Sequence, residues 1–421
     1  MLDWATNSAQ KGTSGDHQTQ PVFYLDSNHH KDRYNQFKAL VGVGSIQELK
    51  VNQKDSFKAL QELHKECNDW LLGYLSYDLK NEVEDIESAN DELQQTPELY
   101  FFQPEKLLII QEEYCEFHYP DYLESDVKKD LQAIQEQTSI SENQVSDVSI
   151  RQAISRDDYL LSVDRILEHI QLGDIYEMNF CQTFYADNVQ IAPVEVFHKL
   201  NKIAESPFAA YCQFDQHYIL SASPERFIKK TGDQLISQPI KGTAKRLFNH
   251  ELDQEIALKL QNDPKERAEN IMITDLVRND MAKTAQKGSV NVDELCGLYS
   301  FKTVHQLIST ISSKLKEETG IDTILQTTFP MGSMTGAPKL SAMEIIEKYE
   351  NNKRGVYSGA IGYITPKGDF DFNVVIRSIL YNADLKRLSL QVGSAITNQS
   401  SPQQEYEECL LKAEALLKAL K

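Results

Sequence analysis

Glu225, in Ser221-Ala-Ser-Pro-Glu225, and Lys241, in Pro239-Ile-Lys-Gly-Thr243, stand sixteen residues apart in one Gly/Pro-punctuated, strand-like region. A carboxylic acid can protonate a leaving hydroxyl while a neutral lysine attacks the same molecule, which is the equipment for substitution at an oxygenated carbon. Taken alone the pair is weak evidence. A Glu and a Lys on neighbouring strands usually form a solvated ion pair contributing about 0–1 kcal/mol.

Two acidic pairs downstream add to it. Asp263-Pro-Lys-Glu266 reads as a helix start, with Asp263 as N-cap, Pro264 at the first helical position and Glu266 completing a capping box. Capping would account for Glu266, but Glu269 lies one turn further along the same face, where no cap needs it. A second helix starts at Ser401-Pro402 and carries Glu405 and Glu408 before its apolar stripe of Leu410, Ala413, Leu416 and Leu417. One Glu-x-x-Glu is most often a solvated face. Two that face each other can hold a hard divalent cation such as Mg²⁺, with positions left open for a substrate carboxylate.

Other motifs carry less. The stretch 332–339, GSMTGAPK, lacks the Gly-Lys-Ser/Thr ending of a phosphate loop, and Pro338 has no N–H to donate. Gly42-Val-Gly44 lacks the third glycine of a dinucleotide fingerprint and reads as a turn. His305 sits in the apolar stretch Val304 to Ile308, where a lone histidine is more often structural than functional.

The elements that must position these groups come in mixed order. Before residue 120, strand-like runs at Pro21–Leu25, Trp70–Tyr77, Leu99–Phe102 and Leu107–Ile110 alternate with a helical stretch at Ser56–Asn68. A Gln/Glu/Ser/Asp-rich connection from Glu124 to Val148 then leads to a helix at about Ser155–Leu172 closed by Gly173-Asp174. Strands joined by short turns follow, around Ile175–Phe184, Tyr211–Phe214, Tyr218–Ser221 and Arg226–Ile228, with a helix near Pro193–Ile203. This order predicts an α+β fold in which large antiparallel β-sheets form a sandwich core with helices packed on the outside. The expected division is a β-rich N-terminal region, 1–150, and a catalytic domain, 151–421.

Composition bounds the function. The 421 residues, 41% of them hydrophobic, suffice for a substantial core. With 43 basic against 63 acidic residues the net charge is −20, and no basic face suited to nucleic acid or a membrane surface is visible. An anionic substrate would have to be captured by local cations or a metal. The six cysteines show no Cys-x-x-Cys spacing, so neither a disulfide framework nor a zinc site is suggested. Residues 1–20 are polar, without a signal-peptide pattern, and no apolar run reaches membrane-spanning length, so a cytoplasmic location is expected.

The ordered set SASPERF (221–227), PIKGTAKR (239–246), DPKERAENIMITDLVRNDM (263–281), FPMGSMTGAPK (329–339), RGVYSGAIGYI (354–364), IRS (376–378) and EYEE (405–408) resembles the chorismate-utilising enzymes. The likeness runs through about 151–421, and Phe23-Tyr-Leu-Asp-Ser27 and Gly73-Tyr-Leu-Ser-Tyr-Asp78 are similar to that family's variable N-terminal region. Lys241 is similar to the aminodeoxychorismate synthase branch, whereas anthranilate synthases usually carry alanine there. The isochorismate and salicylate synthases use a lysine to activate water at the position matched by Glu177.

The resemblance implies that Glu225 protonates the 4-hydroxyl of chorismate while Lys241 adds at C2, after which ammonia attacks C4 and expels the lysine. For this, burial should raise the pKa of Glu225 and lower that of Lys241. It also implies Mg²⁺ held by Glu269 and Glu408, with Glu266 and Glu405 acting through water. Arg377 would hold the enolpyruvyl carboxylate, joined by Tyr363, Lys339 and the backbone of Gly393, Ser394 and Ala395, with Thr243 and His305 lining the ring pocket. Two positions depart from the family pattern: Glu177 replaces the more usual glutamine, and Gly393-Ser-Ala395 replaces a more glycine-rich loop. Glu177 could support the acid form of Glu225, steady an ammonium ion, or simply engage a neighbouring hydrogen bond. No Gly-x-Cys-x-Gly nucleophile motif is present, so ammonia is expected from a separate glutaminase subunit. The rival readings are an anthranilate synthase component I and a catalytically silent chorismate- or tryptophan-binding subunit.

Overall fold

In the computed structural model, residues 1–11, 19–30, 32–52, 54–136 and 148–421 are described. Their strands form one continuous antiparallel ladder, and following it shows how the site is assembled. Strand Glu177–Ala186 pairs with Arg387–Thr397, which pairs with Ser378–Asn382 and then His217–Ser223. The ladder continues through Phe208–Phe214, Val22–Asp26, Ala39–Val51 and Leu99–Ile110. From there it runs through Leu71–Leu75, Ala360–Ile364, Phe370–Val374 and Arg226–Thr231. It ends through Gln234–Gln238 on Val304–Lys314, which also carries Ile240–Lys245 and Asn291–Ser300. The ends of the ladder, the Glu177 strand and the Lys241 strand, fold back on each other and meet at an ion pair. This is the α+β, antiparallel, sandwich-like architecture expected from the sequence.

The pairings Val22–Asp26 with Phe208–Phe214 and Leu71–Leu75 with Ala360–Ile364 cross residue 150, so both halves of the chain contribute to the same sheet. The helices expected at Ser56, Ser155, Pro193, Asp263 and Ser401 form as Ser56–Cys67, Arg156–Leu172, Pro193–Ala204, Pro264–Thr284 and Pro402–Ala419. Ser155 caps its helix by accepting from the N–H of Asp158, and Gly173 closes it at φ 85°, in the left-handed region glycine favours.

Three differences have physical causes. The runs at Leu99–Phe102 and Leu107–Ile110 are one strand, Leu99–Ile110. Its internal Pro104 lies beyond the stretch paired with Leu71–Leu75 and faces a register shift in Ala39–Val51, where a missing N–H costs little. The polar-looking N-terminus forms helix Leu2–Lys11, which buries Leu2, Trp4, Ala5 and Ala9. In the connection from Glu124 to Val148, helix Asp126–Glu136 forms, and residues 137–147 lie outside the described residues. Among the described residues no helix is long and apolar enough to cross a membrane.

Candidate active site

Glu225 sits at the corner between strands His217–Ser223 and Arg226–Thr231. Its carbonyl accepts from the N–H of Val374 at 3.0 Å, and its own N–H donates to Ser223 Oγ at 3.2 Å, so the corner is pinned from both sides. The side chain is 4% exposed and receives the Ile240 N–H at 3.4 Å on Oε1. Burial pushes its carboxyl up to about 7, against the opposing pull of Ser333, the Ile240 N–H and Lys241. A solvent-open pocket with about 350 Å³ of empty space lies beside it, lined by Pro239, Gly332 and Ser333 among others. A carboxyl that is half protonated near neutrality is suited to giving a proton and taking one back.

Lys241 is buried on the next strand but one, and its Nζ lies 2.6 Å from Glu177 Oε1. Gly242, at φ 91°, makes the turn of the chain here: an added Cβ would lie 3.2 Å from both Glu266 Oε2 and Leu307 Cδ1. The register of the strand shifts at this point, between Ile240 and Thr243, and Thr243 beyond the shift is exposed whereas Lys241 is buried. Asn270 in helix Pro264–Thr284 donates to the Lys241 carbonyl at 3.3 Å and ties helix to strand.

The expectation of a lowered Lys241 pKa is not met. Burial pulls it down, but Glu177, then Glu269 and Glu225, outweigh burial and leave it raised, so the resting lysine is an ammonium. Glu177 itself is 1% exposed, and its second oxygen, Oε2, is buried with no hydrogen-bond partner among the described residues. An ion pair so enclosed, with an acceptor atom to spare, can move a proton between its two members.

The four metal-type glutamates come from two helices that approach the same region. Glu269 is 8% exposed, burial pushes its carboxyl up to about 7, and its buried Oε1 has no hydrogen bond among the described residues. Glu266 is also raised, first by burial. It forms no reciprocal cap, because the N–H of Asp263 donates to Leu260 instead, so helix capping does not account for its carboxylate. Glu405 is raised by burial, against hydrogen bonds from Ser400 and Ser394. For Glu408 burial is outweighed by Lys412, 2.6 Å away, and the pKa is lowered. Lys265 Nζ stands between the helices, 3.8 Å from Glu269 and 3.9 Å from Glu405. Among the described residues no three acidic, His or Cys groups are gathered closely enough to ligate one ion. The donor chemistry and the unpartnered Glu269 oxygen suit a hard cation nonetheless.

Arg377 has φ 53°, uncommon for a side chain of this size, and among the described residues no hydrogen bond or ion pair holds its guanidinium. Burial lowers its pKa, while Tyr357 and Glu408 act in the opposite sense. A half-buried fork without a partner among the described residues is suited to a carboxylate. Gly393, Ser394 and Ala395 run past the end of the pairing with Ser378–Asn382, which stops at Leu390. Gly393 tolerates no side chain, since a Cβ would lie 2.7 Å from Cys181 Sγ.

Three expected pocket residues are placed elsewhere. His305 points away from Lys241, with Nε2 3.0 Å from Asp253 and Nδ1 2.8 Å from Ser300. Alternation along strand Val304–Lys314 explains it: the neighbouring Gln306 is the residue opposite Thr243, donating to its hydroxyl at 3.4 Å and leaving a buried Oε1 unpartnered among the described residues. Tyr363 lines a different, solvent-open pocket, with about 430 Å³ of empty space, together with Phe37 and Asp371, and packs against Phe37 and Trp70 at centroid distances of 5.1 and 5.6 Å. Tyr357 is the tyrosine that influences Arg377. Lys339 spends its ammonium on Asp280 and on the carbonyls of Thr328 and Pro330, bracing the loop that carries Ser333. Gln306, Tyr357 and Ser333 are thus the site residues the sequence reading missed.

Residues 20–418 match the family described as chorismate binding enzyme. The chain belongs to this family. It is 39% identical over 267 residues to the aminodeoxychorismate synthase of Streptomyces griseus, covering 63% of this chain and 36% of that one. It is 38% identical over 267 residues to aminodeoxychorismate synthase component 1 of Escherichia coli strain K12, covering 63% of this chain and 58% of that one. The chain thus matches about a third and somewhat over half of the lengths of these two relatives. Its fold is similar to that of anthranilate synthase component I from Streptococcus pneumoniae TIGR4, with a TM-score of 0.82 at 24% identity over 97% of this chain and 96% of that one.

Proposed function

We propose that the chain acts as component I of an aminodeoxychorismate synthase, converting chorismate and ammonia to 4-amino-4-deoxychorismate and water. The observation that carries this reading is the juxtaposition of a half-protonated Glu225 with a buried Lys241 already paired to a proton acceptor, Glu177. Lys241 passes a proton to Glu177 and its free amine adds at C2 of the ring. The double bonds shift, and the 4-hydroxyl leaves as water with the proton of Glu225. Ammonia then attacks C4, the shift reverses, and the C2–N bond to Lys241 breaks.

Substrate capture divides between two carboxylates. The Arg377 guanidinium takes the enolpyruvyl carboxylate, with Tyr357 beside it and the Gly393–Ala395 backbone alongside. Glu269 and Glu408, with Glu266 and Glu405 in support, would hold Mg²⁺. When bound, that ion supplies charge neutralisation for the ring carboxylate. Thr243 and Gln306 face the ring.

Ammonia would come from a separate glutaminase subunit, with ammonium salts a substitute, and a cytoplasmic setting fits this chemistry. The test is incubation of the purified chain with chorismate, Mg²⁺ and an ammonium salt, with the product identified by mass spectrometry before and after addition of aminodeoxychorismate lyase. Conversion to 4-aminobenzoate supports the proposal. Anthranilate with pyruvate would assign the chain to the other amination, and absence of product would leave a binding subunit. Full glutamine-dependent activity from the chain alone would refute the partner.

A further inference from the structure

Lys265 occupies an unfavourable place for its own helix. It lies in the first turn of Pro264–Thr284, where the N-terminal end of the macrodipole repels a cation. Its ammonium is nevertheless directed between Glu269 and Glu405, at 3.8 and 3.9 Å, and all four glutamates of the cluster act on it. Both distances exceed hydrogen-bond length, so the contact is one of charge and not a geometrically locked bridge. Among the described residues Glu269 Oε1, on a side chain 8% exposed, still lacks a hydrogen bond with the ammonium in place. The lysine side chain is 35% exposed and can leave toward solvent along its flexible stem.

We propose that the Lys265 ammonium is the resident counter-ion of this cluster, and that a divalent cation enters by displacing it. The inference rests on the assignment of these glutamates to a metal. It gives the cluster two exchangeable states. With Lys265 inward, the facing carboxylates are kept from repelling one another; with the divalent ion bound, Lys265 turns outward. Metal affinity is then set by competition within the chain as well as by the ligands.

The test is Mn²⁺ binding to the metal-free full chain, read as loss of the free-ion electron paramagnetic resonance signal, without substrate or turnover. Lys265→Gln should tighten binding about tenfold, the order expected when the entering ion no longer has to displace an ammonium held about 4 Å from two carboxylates in a water-like dielectric. Lys265→Arg, which keeps the charge, should stay within about twofold of the unaltered chain. Thermal melting in chelator should show Lys265→Gln as the least stable of the three and the one most restored by Mn²⁺. Unchanged or weaker Mn²⁺ binding in Lys265→Gln overturns the proposal and makes Lys265 a support for the carboxylates. Identical titrations of the unaltered chain and Glu269→Ala would show instead that the cluster takes no metal, removing the assignment on which the proposal stands.

Discussion

Replacing Glu225 by glutamine tests the central acid through stability and not through turnover. Burial moves this carboxyl from 4.5 to about 7 in the folded chain. Between these values the folded protein holds a proton that the unfolded chain has released, so stability falls as pH rises through this window. The penalty is absent well below pH 4.5 and complete above about pH 7. A displacement of about 2.5 units at about 1.4 kcal/mol each corresponds to about 3 kcal/mol, undiscounted because the group is only 4% exposed. Glu225→Gln keeps the shape and cannot ionise. It should match the parent at pH 4.5 and exceed it by about 3 kcal/mol at pH 8 in urea titrations. The same variant should lose amination by two to four orders of magnitude, as expected when a general acid is removed. A difference in stability that does not vary with pH would refute the burial argument, and retained amination would refute the role.

Other outcomes follow from the same geometry. Lys241→Ala should eliminate the covalent intermediate seen by mass spectrometry of quenched enzyme while leaving chorismate binding, measured by calorimetry, nearly intact; unchanged turnover would remove Lys241 from the chemistry. In Glu177→Gln the carboxylate that most raises Lys241 is gone, so the free amine forms at lower pH and the acid limb of the rate profile moves toward acid. An unmoved limb would count against the pair. Gln306→Leu should raise the KM for chorismate, whereas His305→Ala should lower melting temperature with a smaller effect on KM, because His305 is held by Asp253 and Ser300. The reverse pattern would restore His305 to the pocket.

The comparison of His305 with Gln306 shows why some of the site could be read in the sequence and some could not. Glu225, Lys241, Glu266 and Glu269 lie in segments whose local signals are strong: a Pro-containing corner, a Gly-bulged strand and a capped helix start. Those signals fix backbone direction, and the side chains follow. In Val304–Lys314 the residues 305–313 are all buried, so burial alone does not mark which face of the strand holds the pocket. Only the partner strand, through Thr243 opposite Gln306, decides it. Tyr357 and Tyr363 pose the same problem across a turn and a strand, where proximity to Arg377 is set by tertiary packing. The state of Lys241 was beyond sequence reading for another reason: desolvation is inferable from burial, but the carboxylate that reverses its effect comes from the opposite end of the ladder.

That meeting of ladder ends also closes the proton balance. In the first half of the proposed reaction Glu177 receives a proton from Lys241 and Glu225 gives one to departing water. In the second half ammonia bonded at C4 carries a surplus proton, which Glu225, now a carboxylate, is placed to accept. The departing Lys241 amine regains its proton from Glu177 at the 2.6 Å separation seen in the resting pair. Each group ends as it began, and no proton need be drawn from solvent. A glutamine at position 177 could orient Lys241 but could not accept and return its proton. Glu177 therefore fits a site in which a buried lysine begins each cycle as an ammonium.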